Sequence, residues 1–278
     1  MILVAGSANL DFVVRAKHIP APGETVLGQA FATYPGGKGA NQAVAAARAG
    51  GSATHMLLAL GDDSYAQPLE SSLRQAGVEM HVVRAIGMAT GTAFICVSDA
   101  AENAITVAPG ANLALRAAHL PDMAGFSHLL MQLETPLATV TDYARAAHAA
   151  GVKVVLNAAP AQALGQDLLG LLDLLIVNQG ELTSLAGPGS IASQLQALAV
   201  PVVVVTLGAR GCCARSGTDH LLQLALAAFQ SGLRWPLCWF AMAPRRSHRR
   251  RNCVRSVLCR IDRVRATRRR PANARSAD

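Results

Sequence analysis

Five short clusters carry the residue types that hold polar ligands and phosphates. Asn9-Leu10-Asp11 sets an amide and a carboxylate two residues apart, one able to donate to a sugar hydroxyl and the other to accept from it; a strand-ending turn capped by Asn and Asp is the plainer alternative. Gly36-Gly37-Lys38-Gly39-Ala40-Asn41 runs straight into a helical pattern. Paired glycines let the backbone approach a ligand closely, and the N–H groups of a helix start favour anionic or polar partners. The spacing is not the Gly-x-x-x-x-Gly-Lys-Ser/Thr of a Walker loop, and a simple glycine turn before a helix is also compatible with it. Glu134 ends the apolar run Leu129–Leu133. Asn178 and Glu181, within Asn-Gln-Gly-Glu, are suited to ordering water around a Mg²⁺ that bridges nucleotide phosphates, and equally to capping a helix. Thr206-Leu207-Gly208-Ala209-Arg210-Gly211 is a strand entering a glycine turn, where a nucleotide could lie or the chain simply reverses.

The elements around these clusters put them on one edge of one sheet. Ile2–Ala5, Met56–Leu60, Leu129–Leu133, Val152–Asn157, Leu174–Asn178 and Val202–Leu207 are short, apolar and rich in Leu or β-branched residues, as buried strands are. Between several of them the spacing predicts helices over Gly39–Ala49, Ser64–Ala76 and Pro136–Ala150, each stopped by glycine. Such alternation predicts an α/β fold, a doubly wound, mainly parallel sheet with helices on both faces, whose ligands bind outside the carboxyl ends of the strands. Residues 11–33 and 82–107 break the rhythm with short alternating strands and turns. They are expected to project as a small β-lid, a device that closes over substrates.

Composition narrows the classes further. The chain has 278 residues, 51% of them hydrophobic and 15% charged, which suits a folded domain rather than a disordered one. No apolar run is long enough to span a bilayer and no basic region precedes the first strand, so neither a membrane partner nor a signal peptide is expected. Cysteines 96, 212, 213, 238, 253 and 259 form no Cys-x-x-Cys pair, which fits reduced thiols and a cytoplasmic location. The net charge of +8 is unevenly placed. Residues 1–228 carry 11 Lys+Arg against 15 Asp+Glu, whereas residues 229–278 carry 14 Arg against two Asp.

Taken together and in order, the clusters resemble the ribokinase/PfkB carbohydrate-kinase family. Gly-Gly-Lys-Gly-Ala-Asn-Gln-Ala-Val-Ala at 36–45 is similar to the family's first signature, and Pro22-Gly23-Glu24-Thr25, Gly61-Asp62-Asp63, Ala108-Pro109-Gly110-Ala111-Asn112 and Met131-Gln132-Leu133-Glu134 also resemble its segments. The resemblance covers residues 1–215, expected as one domain. It implies MgATP-dependent phosphorylation of D-ribose at its 5-hydroxyl, with Asn9, Asp11, Gly36, Gly37, Lys38, Gly39, Ala40, Asn41 and Glu134 around the sugar. It further implies ATP against Asn178 and the Thr206–Gly211 turn, Mg²⁺ held through water by Glu181, and a homodimer paired through the lid. A kinase for another sugar or nucleoside is the neighbouring alternative.

One expected part is missing. The family's second signature, Asp-Thr-x-Gly/Ala-Ala-Gly-Asp, supplies an anion-stabilising helix start and the general-base Asp, and it should follow the Thr-Leu-Gly turn by some 25–40 residues. After Gly211 the only acidic residues are Asp219, Asp262 and Asp278, none in a glycine-rich turn. The loop that holds a monovalent cation (K⁺) in the family is missing with it, and no catalytic residue is assigned. Residues 216–278 are therefore expected to lack regular structure and family resemblance. Three readings of them stay open: a basic arm for nucleic acid, a disordered extension on a non-catalytic sugar-binding protein, or an out-of-frame translation. The last is favoured, because Arg, Cys, Trp and Pro appear abruptly after an Ala/Gly-rich body, and nothing in that body prepares for nucleic acid.

Overall fold

The computed structural model describes residues 1–49, 51–217 and 221–224. The Arg-rich stretch from Phe229 onward, and with it the readings of the tail, lies outside the described residues. In chain order the elements are β1 (Ile2–Ala5), β2 (Asn9–Ala16), β3 (Gly28–Gly36), α1 (Lys38–Ala49), β4 (Thr54–Leu60), α2 (Ala66–Gln75), β5 (Val78–Arg84), β6 (Gly91–Ser98) and β7 (Asn103–Ala108). They continue with β8 (His128–Met131), α3 (Leu137–Ala149), β9 (Lys153–Asn157), α4 (Gln166–Leu169), β10 (Leu174–Asn178), α5 (Gln179–Ala186), α6 (Ile191–Ala197), β11 (Val202–Thr206), β12 (Cys212–Ser216) and β13 (Leu221–Leu224).

Among the described residues, nine strands form the main sheet in the order β13-β12-β11-β10-β9-β8-β1-β4-β5. It is parallel from β5 to β11, and β12 and β13 are added antiparallel at the other edge. Side-chain alternation along the strands explains why both faces are covered. Leu57 and Ala59 of β4 join Leu3, Leu129, Val154 and Tyr143 in one core, while Met56, Leu58 and Leu60 join Val4, Ala43, Leu69 and Leu73 in another on the opposite face. Helix α3 stops where Gly151 adopts φ +71°, the left-handed cap that ends many helices.

The lid is a second sheet of four strands, β3-β2-β6-β7. Its membership corrects one expected boundary. Val82–Arg84 lie in β5, hydrogen-bonded to β4 as the edge of the main sheet. An edge strand is only half covered, so its polar alternation mimics that of a lid strand. A second correction concerns the C-terminal side. Ser216 completes β12 and Leu221–Leu224 pair with it, so regular structure continues past residue 215. The pairing is anchored by Arg215, whose buried guanidinium donates to the carbonyl oxygens of Leu195, Leu198 and Val200 at 2.6–2.7 Å, just where α6 runs out of backbone partners.

No helix among the described residues is long and apolar enough to cross a membrane.

Candidate active site

Strand order reverses direction at β1, whose neighbours β4 and β8 lead the chain to opposite sides of the sheet. This switch point is where an open α/β sheet leaves a crevice. Three of the predicted clusters meet there. Glu134, three residues beyond β8, is the hub. Its Oε1 accepts from Lys38 Nζ at 2.6 Å, and its Oε2 accepts from Ser7 Oγ at 2.6 Å and from the Lys38 backbone N–H at 3.2 Å. Ser7 Oγ in turn accepts the Gly39 N–H at 3.2 Å, and Ser7 carbonyl oxygen accepts the Ala40 N–H at 2.9 Å. The glycine loop is thereby fastened to the end of β1 and to the segment after β8. Gly37 has φ +90°, and a Cβ there would lie 2.7 Å from the Asn9 nitrogen, so both conformation and space demand glycine.

Asp11 lies on β2 beside this hub. Gly36, the register partner of Asn9 on β3, leaves it room: a Cβ on Gly36 would fall 2.1 Å from Asp11 Oδ2. Asp11 is 6% exposed, and burial pushes its carboxyl up to about 7, helped by the negative charge of Glu134 and opposed by Lys38. Asn9 sits two residues earlier on the same face of β2, buried, with its Oδ1 accepting from Asn112 Nδ2 at 2.7 Å. Asn41 belongs to the first turn of α1, its N–H bonded to the Gly37 carbonyl at 2.9 Å.

The remaining clusters lie two strands further along the same sheet edge. Asn178 and Thr206 are register partners on β10 and β11. Asn178 and Glu181 form a reciprocal capping box at the start of α5: Glu181 N–H donates to Asn178 Oδ1 at 2.8 Å and Asn178 N–H to Glu181 Oε2 at 2.7 Å. The turn from Thr206 to Gly211 closes through Leu207 N–H to the Gly211 carbonyl at 2.8 Å, and Arg210 Nη2 ties it to Gln179 Oε1 at 2.8 Å. Burial raises the Glu181 carboxyl, while the Asn178 hydrogen bond and the Lys38 charge pull it back. Lys38 is thus felt at Asp11 and at Glu181 alike, which links the two halves of the edge electrostatically.

Several residues in this network escape a reading of motifs. Ser7 shares Glu134, Asn112 shares Asn9, and Gln132, Gln42 and Asn157 form a chain of side-chain amides from the residue after β8 to α1 to β9, with contacts of 2.5 and 3.0 Å. Their common signal is a polar side chain inside an otherwise apolar stretch: Ser7, Asn112 and Gln132 are each 0% exposed.

The clusters thus lie along the carboxyl ends of the parallel strands, and comparison with known proteins gives the family. The profile described as pfkB family carbohydrate kinase matches residues 1–226. The chain belongs to this family. Among curated proteins, the chain is 37% identical over 242 residues to a ribokinase of Haemophilus influenzae, covering 80% of this chain and 77% of that one. It is also 37% identical over 240 residues to a ribokinase of Schizosaccharomyces pombe, covering 79% and 76%. Among solved structures, the ribokinase of Giardia lamblia superimposes with a TM-score of 0.76 at 26% identity, covering 84% of this chain and 78% of that one. The Arabidopsis thaliana ribokinase complexed with ribose and ATP gives 0.70 at 27% identity, covering 81% and 78%. The family match runs beyond residue 215, in keeping with the pairing of β12 and β13.

Proposed function

We propose that the crevice at the switch point binds D-ribose and that its chemistry is the ribokinase reaction, transfer of the γ-phosphoryl group of ATP to the 5-hydroxyl. The observation that carries this reading is the buried carboxyl of Asp11, set beside Asn9 and the Lys38–Glu134 pair under the lid, in a chain 37% identical to two ribokinases. No hydrogen bond from the described residues reaches the Asp11 carboxyl, so its acceptor capacity is left for a ligand. Asn9, Asp11 and the 36–41 loop then hold the sugar, and Asn178 with the Thr206–Gly211 turn faces the nucleotide. Among the described residues no group of three or more His, Cys, Asp or Glu side chains could hold a metal ion. Mg²⁺ would be carried mainly by phosphates and water, with Glu181 in its outer shell. Bound there, the ion would neutralise charge on the transferring group.

Turnover by this chain is expected to be weak. The stretch after Gly211 offers only Asp219, Asp262 and Asp278 as carboxylates, none within an Asp-Thr-x-Gly/Ala-Ala-Gly-Asp sequence, and a general base contributes about 10²–10⁴-fold to such a reaction. The test measures two quantities on the full chain: thermal stabilisation by D-ribose and ribose-dependent ADP release from MgATP. Stabilisation at saturating ribose with turnover far below the roughly 1–100 s⁻¹ of kinases supports the reading. Turnover within that range refutes the missing-base argument, and stabilisation by other sugars but not D-ribose refutes the substrate. Dimerisation through the lid has its own support: Phe31 and Phe94, 66% and 54% exposed, both stack on Phe12, an apolar patch of the kind that partners cover.

A further inference from the structure

We infer that Asn112 is a positioning residue that fixes which end of the Asn9 side-chain amide faces the ligand. The inference rests on the sugar-site reading above. Asn112 lies in the short turn of 3-10 helix Gly110–Ala114 that follows β7, is 0% exposed, and is separated by more than 100 residues from the segment it serves. Its Oδ1 accepts the backbone N–H of Ala8 at 3.0 Å. Its Nδ2 donates to Asn9 Oδ1 at 2.7 Å, with a longer contact of 3.4 Å to the Ala8 carbonyl.

This chain of bonds has one polarity only. A backbone N–H can only donate, so the atom of Asn112 facing Ala8 must be its oxygen. The other end of Asn112 is then the NH₂ group, which can only donate, so the atom of Asn9 facing it must be oxygen. The Asn9 NH₂ is left directed away from Asn112. Asn9 and Asp11 share one face of β2. The ligand therefore meets a donor beside an acceptor, a pairing that reads two hydroxyls of a polyol in opposite senses. Gly91 keeps space for the arrangement. It is the register partner of Asn9, and a Cβ on it would lie 2.3 Å from both Asn112 Nδ2 and Asn9 Oδ1.

The variant Asn112→Asp tests the polarity while preserving shape. When ionised, the substituted carboxylate still accepts from Ala8 but offers oxygen to Asn9, whose amide must turn over and present its own oxygen to the sugar. Burial opposes that ionisation, so the comparison is made at pH 9.5, where calorimetry should find D-ribose binding weakened about tenfold or more relative to the wild type. On acidification the carboxyl of the variant takes up a proton and can donate to Asn9 Oδ1 again. The ratio of wild-type to variant affinity should then return toward one; a merely structural defect would give a ratio that acid does not restore. A second measurement uses the wild type, so it does not depend on the variant folding. In protein labelled with ¹⁵N at asparagine side chains, D-ribose should shift the Asn9 NH₂ resonances, identified by their loss in Asn9→Asp. Wild type that binds D-ribose with unmoved Asn9 NH₂ resonances, or Asn112→Asp that binds as tightly at pH 9.5, overturns the inference. Wild type that fails to bind D-ribose overturns the sugar-site reading, and this inference with it.

Discussion

The substitution Asp11→Asn should make the protein more stable at neutral pH and worse at binding sugar. Burial raises the Asp11 carboxyl from 3.8 to about 7. In the unfolded chain the group returns to its ordinary value, so between these two limits the folded state binds more protons than the unfolded one. Stability must then fall as pH rises through that window, and above about 7 the cost of the buried charge is fully present. At roughly 1.36 kcal/mol per pH unit, the interval corresponds to about 4 kcal/mol. Asn cannot ionise and fits the same space next to Gly36. The variant should therefore converge on the wild type below about pH 4, pull ahead steadily above it, and exceed it by about 2–4 kcal/mol at pH 8, a rise of roughly 5–10 °C in Tm. The comparison centres on Asp11, because it is the one ionisable group that differs between the two proteins. Thermal melts of the two proteins between pH 4.5 and 8.5 provide the assay. Parallel Tm curves across that range would refute the reasoning, since they would mean that Asp11 is ionised at no cost. The same substitution removes the acceptor proposed for a sugar hydroxyl, so D-ribose affinity should drop even as Tm rises. Wild-type affinity should itself climb with pH through about 7, as the carboxylate forms.

Further predictions concern the groups that hold the site in place. Glu134→Gln breaks the charged contact with Lys38 and leaves one fewer acceptor for Ser7 and the Lys38 N–H; it should cost about 1–3 kcal/mol in urea unfolding, with the Lys38 share reduced by solvent, and weaken D-ribose binding in calorimetry. Asp63 clips the lid entry by accepting from Thr90 N–H and Thr90 Oγ1, both at 2.7 Å. Burial raises its carboxyl, but bonds to Thr90, Tyr65 and Ala66 outweigh this and hold it below the usual range, so its contribution is present at neutral pH and lost in acid. Asp63→Ala should speed amide exchange at Thr90 and Gly91 by about tenfold at pH 7, and unchanged exchange would count against the clip. Phe94→Asp, on the exposed aromatic face of the lid, should convert a dimer to a monomer in light scattering. If an out-of-frame translation is the source of the Arg-rich tail, the break falls after codon 226, where the family match ends; a gene sequence in which no one-base shift restores Asp-Thr-x-Ala-Ala-Gly-Asp would exclude that source.

What was legible in the sequence divides by the range of the interactions involved. Buried parallel strands announce themselves as unbroken apolar runs, and Leu174–Asn178 and Ile2–Ala5 have the predicted ends. The edge strand Val78–Arg84 does not, because half its surface is open and its pattern alternates like that of the lid. Strand Cys212–Ser216 hides behind Arg215, a charge that reads as surface until its three carbonyl partners from α6 onward are seen. Polar groups divide the same way. The Asn178–Glu181 box satisfies itself three residues away, so either reading of that pair could be made from sequence, and the cap is what the fold adopts. Ser7 and Asn112 serve partners more than 100 residues distant, and no local pattern signals that. This difference also ranks the clusters as candidate ligand sites. Glu134 gives both oxygens to Ser7 and Lys38, and so holds the loop before it can hold a sugar. Glu181 gives Oε2 to its cap, so only Oε1 is left for any other role. The Asp11 carboxyl and the Asn9 NH₂ give nothing to the described residues. The most specific part of the proposed site is therefore this adjacent acceptor and donor, two groups that the fold positions and no described residue engages.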